Sequence, residues 1–151
     1  MLLTLWRLVA RRRAGEAFSG EGARRVGGRW TPPGQRGVYL ASSPALPAME
    51  VLVHLGRATR LDSFVLFRVS VPDRLIGDVA LPLPDSWANP VPPLALQRIG
   101  RTWLDGGKLG LRVPSAVVRH EWCVLLNVDH KQMNMIQIDE PEPFGFDARL
   151  G

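Results

Sequence analysis

The sequence predicts a single domain of the α+β class, in which a few helices pack against mixed or antiparallel sheets. Three observations support this class. Segments with strand character outnumber the two segments with helical periodicity, strands and helices do not alternate regularly, and no internal repeat is apparent. At 151 residues the chain is long enough to bury one core. We therefore expect residues 1–151 to form one compact domain.

The N-terminal part of the chain contains two predicted strands separated by a loop. Leu2–Val9 is apolar and uninterrupted by glycine or proline, which favours a strand that carries Arg7 within it. Gly15–Gly28 is rich in glycine and polar residues, so we expect a loop there. Arg36–Ala41 contains valine, tyrosine and leucine, which favour a second strand.

A helix is predicted directly after the second strand. Ser43 followed by Pro44 is typical of a helix start, with the serine as N-cap and the proline at the first helical position. The helix should continue to about Leu55 and end near Gly56. Glu50 should lie half-buried at the margin of its apolar face. The residues expected on that buried face are Leu46, Met49, Leu52 and Val53.

The second half of the chain repeats this mixture of elements. Phe64–Val71 has a clean two-residue apolar period and is a predicted strand that Pro72 ends. Leu81–Pro93 contains five prolines and predicts an irregular connection. Leu94–Leu104 resumes a helical pattern and is followed by two glycines. Three more strands are predicted, at Leu109–Val113, Glu121–Val128 and Met135–Ile138.

The chain is basic, with a formal net charge of +5 and an isoelectric point of about 10.6. This charge permits binding to nucleic acid, to anionic ligands or to an acidic protein, and does not choose among them. The apolar segment Met1–Ala10 is too short to cross a bilayer, and the positive cluster Arg11–Arg13 follows it instead of preceding it. We therefore expect a cytoplasmic protein without membrane contact.

Metal sites and common nucleotide motifs are not indicated. His54, His120 and His130 are far apart, and the single cysteine, Cys123, lies in an apolar run that favours a buried structural thiol. The pair Gly27–Gly28 is not followed by the Gly-Lys-Ser/Thr of a P-loop, and no dinucleotide fingerprint follows a strand. A bound dinucleotide would therefore not be held by a Rossmann fold.

Five polar residues occupy unusual places for polar side chains. Arg7 lies in a strand, Arg29 follows two glycines, Tyr39 lies in a strand, Glu50 lies at a helix margin, and Ser115 follows a proline. Each has an ordinary explanation when it is considered alone: packing for the tyrosine, a local ion pair or hydrogen bond for the glutamate, and a cap for the serine.

Together with their neighbours, these residues resemble the RES-domain family, which is named for its arginine, glutamate and serine. The resemblance covers essentially the whole chain, in order and with compatible spacing. One departure is Thr31, where asparagine is expected after the Arg-Trp pair. The matching segments are Gly27–Gly34, Gly37–Ser42, Ala48–His54 and Val113–Ser115, with further similarity at Leu5–Arg7, Leu125–Asn127 and His130.

The resemblance implies a fold similar to ADP-ribosyltransferases, NAD as substrate without a metal, and a toxin of a bacterial type II toxin–antitoxin system. It also implies an Xre-type antitoxin as the partner. We expect a segment of the antitoxin to occupy or cover the arginine-lined cleft, since blocking the binding of the substrate's anionic groups is the simplest inhibition for such a site. The positions that match the family's active site are Arg29, Tyr39, Glu50 and Ser115, and Arg7 and Asn127 are further candidates for binding NAD.

Cleavage of the nicotinamide–ribose bond explains why these residue types are needed. The transition state resembles an oxocarbenium ion, and nicotinamide leaves as a neutral group, so one carboxylate, Glu50, suffices. Arg29 is expected to hold the pyrophosphate bidentately. Tyr39 is expected to stack on nicotinamide or ribose, and Ser115 to bind substrate or orient the carboxylate.

The acceptor of ADP-ribose stays open: water, phosphate or a protein side chain gives a glycohydrolase, a phosphorylase or a protein ADP-ribosyltransferase. We favour destruction of free NAD. A non-enzymatic alternative is a nucleic-acid-binding module that uses Arg11–Arg13 and Arg24–Arg25, but no nucleic-acid-binding motif is present and direct binding is not expected. An RNase toxin would have only Glu50 and His54 as a paired arrangement.

Overall fold

The computed structural model describes residues 1–55 and 63–150. The predicted helix end near Gly56 lies outside these residues. Within them the chain forms one sheet, three α-helices and three short 3₁₀ helices. The strands are β1 Leu2–Ala10, β2 Gly37–Ala41, β3 Phe64–Pro72, β4 Ile76–Asp78, β5 Gly110–Pro114, β6 Trp122–Asn127, β7 Gln137–Ile138 and β8 Glu142–Phe144, and the helices are α1 Glu21–Val26, α2 Ala45–Leu55 and α3 Leu94–Leu104. The 3₁₀ helices are Arg11–Glu16, Asp73–Leu75 and Met133–Met135.

The sheet opens between β1 and β2, near its middle. Its strand order is β4-β5-β6-β2-β1-β3-β7, with β8 also paired to β3, and only the β4–β5 pair is parallel. β1 is paired with β3 along its whole length, from Leu2 to Ala10. With β2 it shares a single pair, Trp6 opposite Ala41. The gap between β1 and β2 therefore leaves space beside these strands, which a continuous ladder of hydrogen bonds would close.

Alternating side chains along the strands form two cores, one on each face of the sheet. The helix-covered face holds Leu46 of α2 together with Leu96 and Trp103 of α3. The opposite face holds Leu5 of β1 and the alternate residues of β3 that the sequence predicted, which are Val65, Phe67, Val69 and Val71. The mixed α+β class and the strand pattern of Phe64–Val71 are thus found in the structure.

The sequence-based expectation of a loop at Gly15–Gly28 is wrong in part, because α1 lies within it. Gly20 precedes this helix with φ of 74°, and Gly27 follows it with φ of 73°. The Glu21 amide hydrogen-bonds to the Ser19 hydroxyl, and the Glu21 carboxylate pairs with the Arg24 guanidinium at 2.7 Å. Glycine in a sequence favours a loop, whereas Gly20 and Gly27 supply the positive φ angles at the two ends of a short helix.

The C-terminal strand prediction, Met135–Ile138, is also wrong in its bounds. Met133–Met135 is a 3₁₀ turn, and the strand itself is only Gln137–Ile138. The strands β4 and β8 were not predicted. Each of them has three residues, too few for a two-residue period to be recognised, and each exists because it pairs with a longer strand.

Helix α2 begins as predicted but presents a different face to the sheet. The Leu46 amide donates to the Ser43 hydroxyl at 3.2 Å, which confirms the serine cap. Two residues expected on its buried face, Met49 and Val53, are 43% and 61% exposed. The side that faces the sheet carries Glu50 instead, since this helix covers a cavity as well as a core. Glu50 is therefore on the inward face of the helix and not at its margin.

Helix α3 holds the segment Gly27–Gly34 in place by close backbone contact. The Gln97 amide donates to the Gly28 carbonyl at 3.0 Å. A Cβ atom added at Gly100 would lie 1.6 Å from the Trp30 carbonyl oxygen, and the Trp30 side chain is only 2% exposed. The helix can approach this closely only because residue 100 is glycine.

We expect Gly100→Ala to destabilise the fold by about 3 kcal/mol, because the added methyl group overlaps a backbone atom that cannot rotate away. Urea unfolding measures the change. Gly106→Ala is the matched control, since a Cβ there meets nothing within 4 Å. Equal unfolding free energies for the two variants would contradict the close approach of α3 to Trp30.

Candidate active site

Three of the sequence-predicted site residues line one cavity. The cavity has a volume of about 260 Å³ and lies between α2 and the opening between β1 and β2. Arg7 comes from β1, Tyr39 from β2 and Glu50 from α2. The other residues that line it are Trp6, Leu8, Leu40, Ala41, Pro47, Val51, His54 and Cys123.

Glu50 is a carboxylate in a largely apolar cavity. Its Oε1 atom accepts hydrogen bonds from the Ser115 hydroxyl at 3.5 Å and from the Cys123 thiol at 3.6 Å. Burial raises the pKa of Glu50, and the hydrogen bond from Cys123, the charge of His54, the Ser115 hydrogen bond and the charge of Arg29 oppose that rise. The carboxylate is therefore poorly solvated and held by two neutral donors.

Ser115 serves as both a cap and a contact of Glu50. Its side chain is 2% exposed, and its Oγ atom accepts the backbone N–H groups of Val117 and Val118, each at 3.1 Å. With these two donors on the oxygen, the hydroxyl proton is directed at the Glu50 carboxylate. The cap that the sequence predicted for Ser115 is found, and its role in orienting the carboxylate stays a prediction.

Cys123 is a site residue that the sequence analysis did not select. The cysteine is buried, and burial together with the Glu50 carboxylate raises the pKa of its thiol, so it is a neutral donor and not a nucleophile. The expectation of a buried, unreactive thiol is consistent with this. Its place opposite Ala41 on the helix-covered face of β6 depends on strand register, which the sequence did not reveal.

Arg7 is a half-buried residue on the core side of β1, and its guanidinium group is largely removed from solvent. It lies on the same side as Leu5 and pairs in register with Phe67 of β3. Its Nε donates to the Ala17 carbonyl at 2.6 Å, and one terminal nitrogen donates to the Tyr39 carbonyl at 3.2 Å. Burial lowers the pKa of Arg7 to about 10, so it stays charged at neutral pH. None of the ion pairs found among the described residues involves it.

Arg29 is directed toward a neighbouring loop. Its guanidinium donates to the carbonyl oxygens of Trp87 and Asn89, at 2.8 and 2.7 Å. Both acceptors belong to the irregular connection that the sequence predicted at Leu81–Pro93. Arg29 is not among the residues that line the Glu50 cavity, although its charge lowers the pKa of Glu50. Its role in holding a pyrophosphate stays a prediction.

Tyr39 ties the arginine-bearing segment to β2. Its hydroxyl accepts the Trp30 backbone N–H at 3.1 Å and hydrogen-bonds to the Thr31 hydroxyl at 3.1 Å. Thr31, the position that departs from the expected pattern, is fully buried. A Cβ at Gly28 would lie 2.7 Å from the tyrosine hydroxyl, so glycine is required there. Burial raises the pKa of Tyr39, which keeps its phenol neutral.

Asn127 is not brought to this cavity. It ends β6 opposite Gly37, and its side-chain oxygen accepts the Asp129 backbone N–H at 3.1 Å. His130 is likewise engaged locally, with Nε2 3.3 Å from the Gly107 carbonyl. The suggested part of Asn127 in NAD binding stays a prediction, and its observed contact caps a turn.

A second cavity of about 510 Å³ adjoins the first. Both are lined by Arg7, Leu8, Tyr39 and Val51, so they meet at the opening between β1 and β2. The second cavity extends under α1 and the 3₁₀ helix that follows β1, where three further arginines line it. Its size is within the range of about 300–1,000 Å³ that is usual for small-molecule sites.

The described ranges, 1–55 and 63–150, contain no group of three or more His, Cys, Asp or Glu side chains placed to hold a metal ion. Across the same ranges, no helix has both the length and the apolar character needed to cross a bilayer.

Comparison with known proteins gives a consistent result. The sequence profile described as the RES domain matches residues 4–147. "Toxin Res" of Photorhabdus laumondii is 37% identical, covering 98% of this chain and 97% of the relative. "Prs ADP-ribosylating toxin" of Sphingobium sp. is 33% identical over 99% of this chain and 98% of the relative.

A solved structure is similar in fold. It is a chain of the toxin–antitoxin complex MbcT-MbcA of M. tuberculosis, with a TM-score of 0.79 at 22% sequence identity, covering 96% of this chain and 85% of that one. This similarity confirms the single α+β domain.

We expect Tyr39→Phe to reduce the free energy of unfolding by about 1–2 kcal/mol, because the Trp30 N–H loses its acceptor in a buried place. Thr31→Val is the control, since it removes one hydroxyl partner and leaves the Trp30 bond intact. Urea unfolding of both variants measures the difference. An equal loss in both would show that the bond to Trp30 contributes nothing.

Proposed function

Because this chain belongs to the RES domain family, we propose that it is the toxin of a bacterial type II toxin–antitoxin system and that it cleaves the nicotinamide–ribose bond of NAD. One observation carries the proposal beyond family membership. A desolvated carboxylate, Glu50, and a buried cation, Arg7, line the same cavity. A substrate that develops positive charge at one point and carries phosphate nearby fits that combination.

The reaction balances without an external oxidant or reductant. The bond between ribose C1′ and the pyridinium nitrogen breaks, and its electron pair stays on nitrogen, so nicotinamide leaves neutral. An oxygen nucleophile forms the new bond to C1′ and releases one proton. With water as the nucleophile, NAD and water give ADP-ribose, nicotinamide and a proton.

Glu50 is the residue we assign to stabilising the oxocarbenium-like transition state. A carboxylate in a poorly hydrated cavity interacts with developing positive charge more strongly than one in water. The donors Ser115 and Cys123 fix its position, and both bind the same oxygen, Oε1. The other oxygen, Oε2, is then the one we assign to a ribose hydroxyl or to C1′.

Arg7 and Tyr39 are assigned to substrate binding. The guanidinium of Arg7 donates hydrogen bonds to two backbone carbonyls, which leave its positive charge unneutralised. An anionic substrate is therefore attracted to Arg7 by a Coulomb interaction. Tyr39 lies where both cavities meet. Its ring is suited to packing against ribose or nicotinamide, while its hydroxyl stays bound to Trp30 and Thr31.

The acceptor of ADP-ribose distinguishes two candidate activities. With water or phosphate, the chain is an NAD glycohydrolase or phosphorylase that depletes NAD in the cytoplasm, and we favour this class. With a protein side chain, it is a protein ADP-ribosyltransferase. The second class has specific support, since one relative at 33% identity is named a "Prs ADP-ribosylating toxin".

An antitoxin is the partner we propose. The similar fold of M. tuberculosis comes from a toxin–antitoxin complex, and two further relatives of this chain carry the name "Toxin Res". We expect an Xre-type antitoxin whose segment covers the arginine-lined opening and so keeps NAD out.

We expect Glu50→Gln to fold normally and to lose at least 100-fold in the rate of nicotinamide release, because the neutral amide cannot offset the developing charge. Purified protein with NAD, with and without added phosphate, is followed by chromatography of free nicotinamide and of the ADP-ribose product. Val53→Gln, an exposed position of the same helix, is the control. Wild-type rates for Glu50→Gln would remove this residue from the mechanism.

The pH dependence of NAD cleavage should report the Glu50 carboxylate. The raised pKa means that activity is present when Glu50 is ionised and falls as pH decreases through a value above the ordinary glutamate pKa of about 4.3. Cys123→Ala removes a hydrogen bond that lowers this pKa, so the acid limb of kcat/KM should move to higher pH. Cys123→Ser keeps a donor and should keep the limb in place. An acid limb that is identical in all three proteins would contradict the assignment.

A further inference from the structure

We propose that the second cavity, beneath α1, is the subsite for the diphosphate of the substrate, and that Arg13 and Arg25 hold it. This inference rests on the proposed cleavage of NAD and adds to it. It assigns the diphosphate to a different part of the chain from the segment that carries Arg29.

The two cavities adjoin, so a substrate bound at Glu50 in the first cavity can extend into the second. In a nicotinamide dinucleotide, the 5′ carbon of the ribose carries the diphosphate, so a glycosidic carbon at Glu50 places the phosphates about one ribose length away. The residues shared by the two cavities include Arg7 and Tyr39. The path from Glu50 past this pair leads into the second cavity, which has about twice the volume of the first.

The charges of the second cavity favour an anion. Four arginines line it, Arg7, Arg12, Arg13 and Arg25, against two carboxylates, Glu16 and Glu21. The carboxylate of Glu21 is paired with Arg24, which is not among the lining residues, at 2.7 Å. The lining is therefore net positive, and the planar guanidinium fork suits phosphate oxygens.

Glycines also leave the wall of this cavity open. Gly20, Gly22 and Gly27 line it, so parts of its surface are backbone without side chains. At Gly22 a Cβ atom would meet nothing within 4 Å. A side chain can therefore be added at Gly22, a residue of the cavity lining, without displacing the protein.

Arg29 is occupied elsewhere. Both of its hydrogen bonds go to backbone carbonyls of the connection between β4 and α3, at Trp87 and Asn89. A guanidinium held in this way fixes a loop beside the site, so we assign Arg29 as a positioning residue. We therefore assign the diphosphate to Arg13 and Arg25, which line the second cavity.

Binding of ADP tests the subsite without any chemistry, because ADP has the diphosphate but no nicotinamide bond. We expect titration calorimetry to show ADP binding to the wild-type chain, and Arg13→Ala and Arg25→Ala each to weaken it about tenfold, since each removes a charge-assisted contact. Arg101→Ala, an exposed arginine of α3, should bind ADP as the wild type does.

Gly22 supplies a pair of variants that separates charge from shape. Gly22→Glu and Gly22→Gln add side chains of the same size, and only the first adds a negative charge to the cavity lining. Gly22→Glu should weaken ADP binding at least tenfold more than Gly22→Gln does. Binding of nicotinamide riboside, which has no phosphate, should be the same in both variants. Thermal unfolding of each variant verifies that the fold is kept.

The results separate this inference from the proposed function. Absence of ADP binding to the wild type, or equal binding by Gly22→Glu and Gly22→Gln, overturns the subsite even if NAD is cleaved. Loss of ADP binding in the arginine variants supports the subsite even if the wild type releases no nicotinamide, and in that case the cleavage proposal is the one that fails.

Discussion

The guanidinium of Arg7 is buried in the sheet, at the place where β1 and β2 separate, and its hydrogen bonds go to two backbone carbonyls. A buried charge is costly unless polar groups or an opposite charge surround it. The Ala17 and Tyr39 carbonyls supply part of that compensation, and Tyr39 belongs to β2, which shares only one residue pair with β1. Arg7 therefore lies both at the opening in the sheet and in the wall of the cavity beside it.

Glu50, from helix α2, lines the same cavity as this cation. Helix α2 turns its Glu50 side inward and leaves Met49 and Val53 in solvent, although the apolar pattern favours the opposite. The carboxylate is stabilised by two weak neutral donors and by the more distant charges of His54 and Arg29. Strong pairing with a cation would neutralise the negative charge that the proposed cleavage of NAD requires at its transition state.

The position of the segment around Arg29 depends on its contacts with helix α3 and with β2. Helix α3 packs so closely at Gly100 that the Trp30 backbone is fixed, and Tyr39 binds the same segment from the sheet side. Arg29, between these two anchors, is held by loop carbonyls. The segment that carries Arg29 is thus held by α3, by Tyr39 and by the loop that contains Trp87 and Asn89. These contacts are made to backbone atoms, so the residue types in the sequence do not predict them.

From the sequence alone, the class of fold, the long strands, the start of α2 and the set Arg7, Arg29, Tyr39, Glu50 and Ser115 could be predicted. Those features depend on local patterns: alternation, a serine before a proline, and a family motif. Tertiary structure decided what depends on register and packing. It placed Cys123 against Glu50, directed Arg29 to a loop, left Asn127 to a turn, and made a short helix from a glycine-rich segment. The physical reason is that strand pairing and helix rotation are fixed by residues far apart in the chain, which a local pattern does not record.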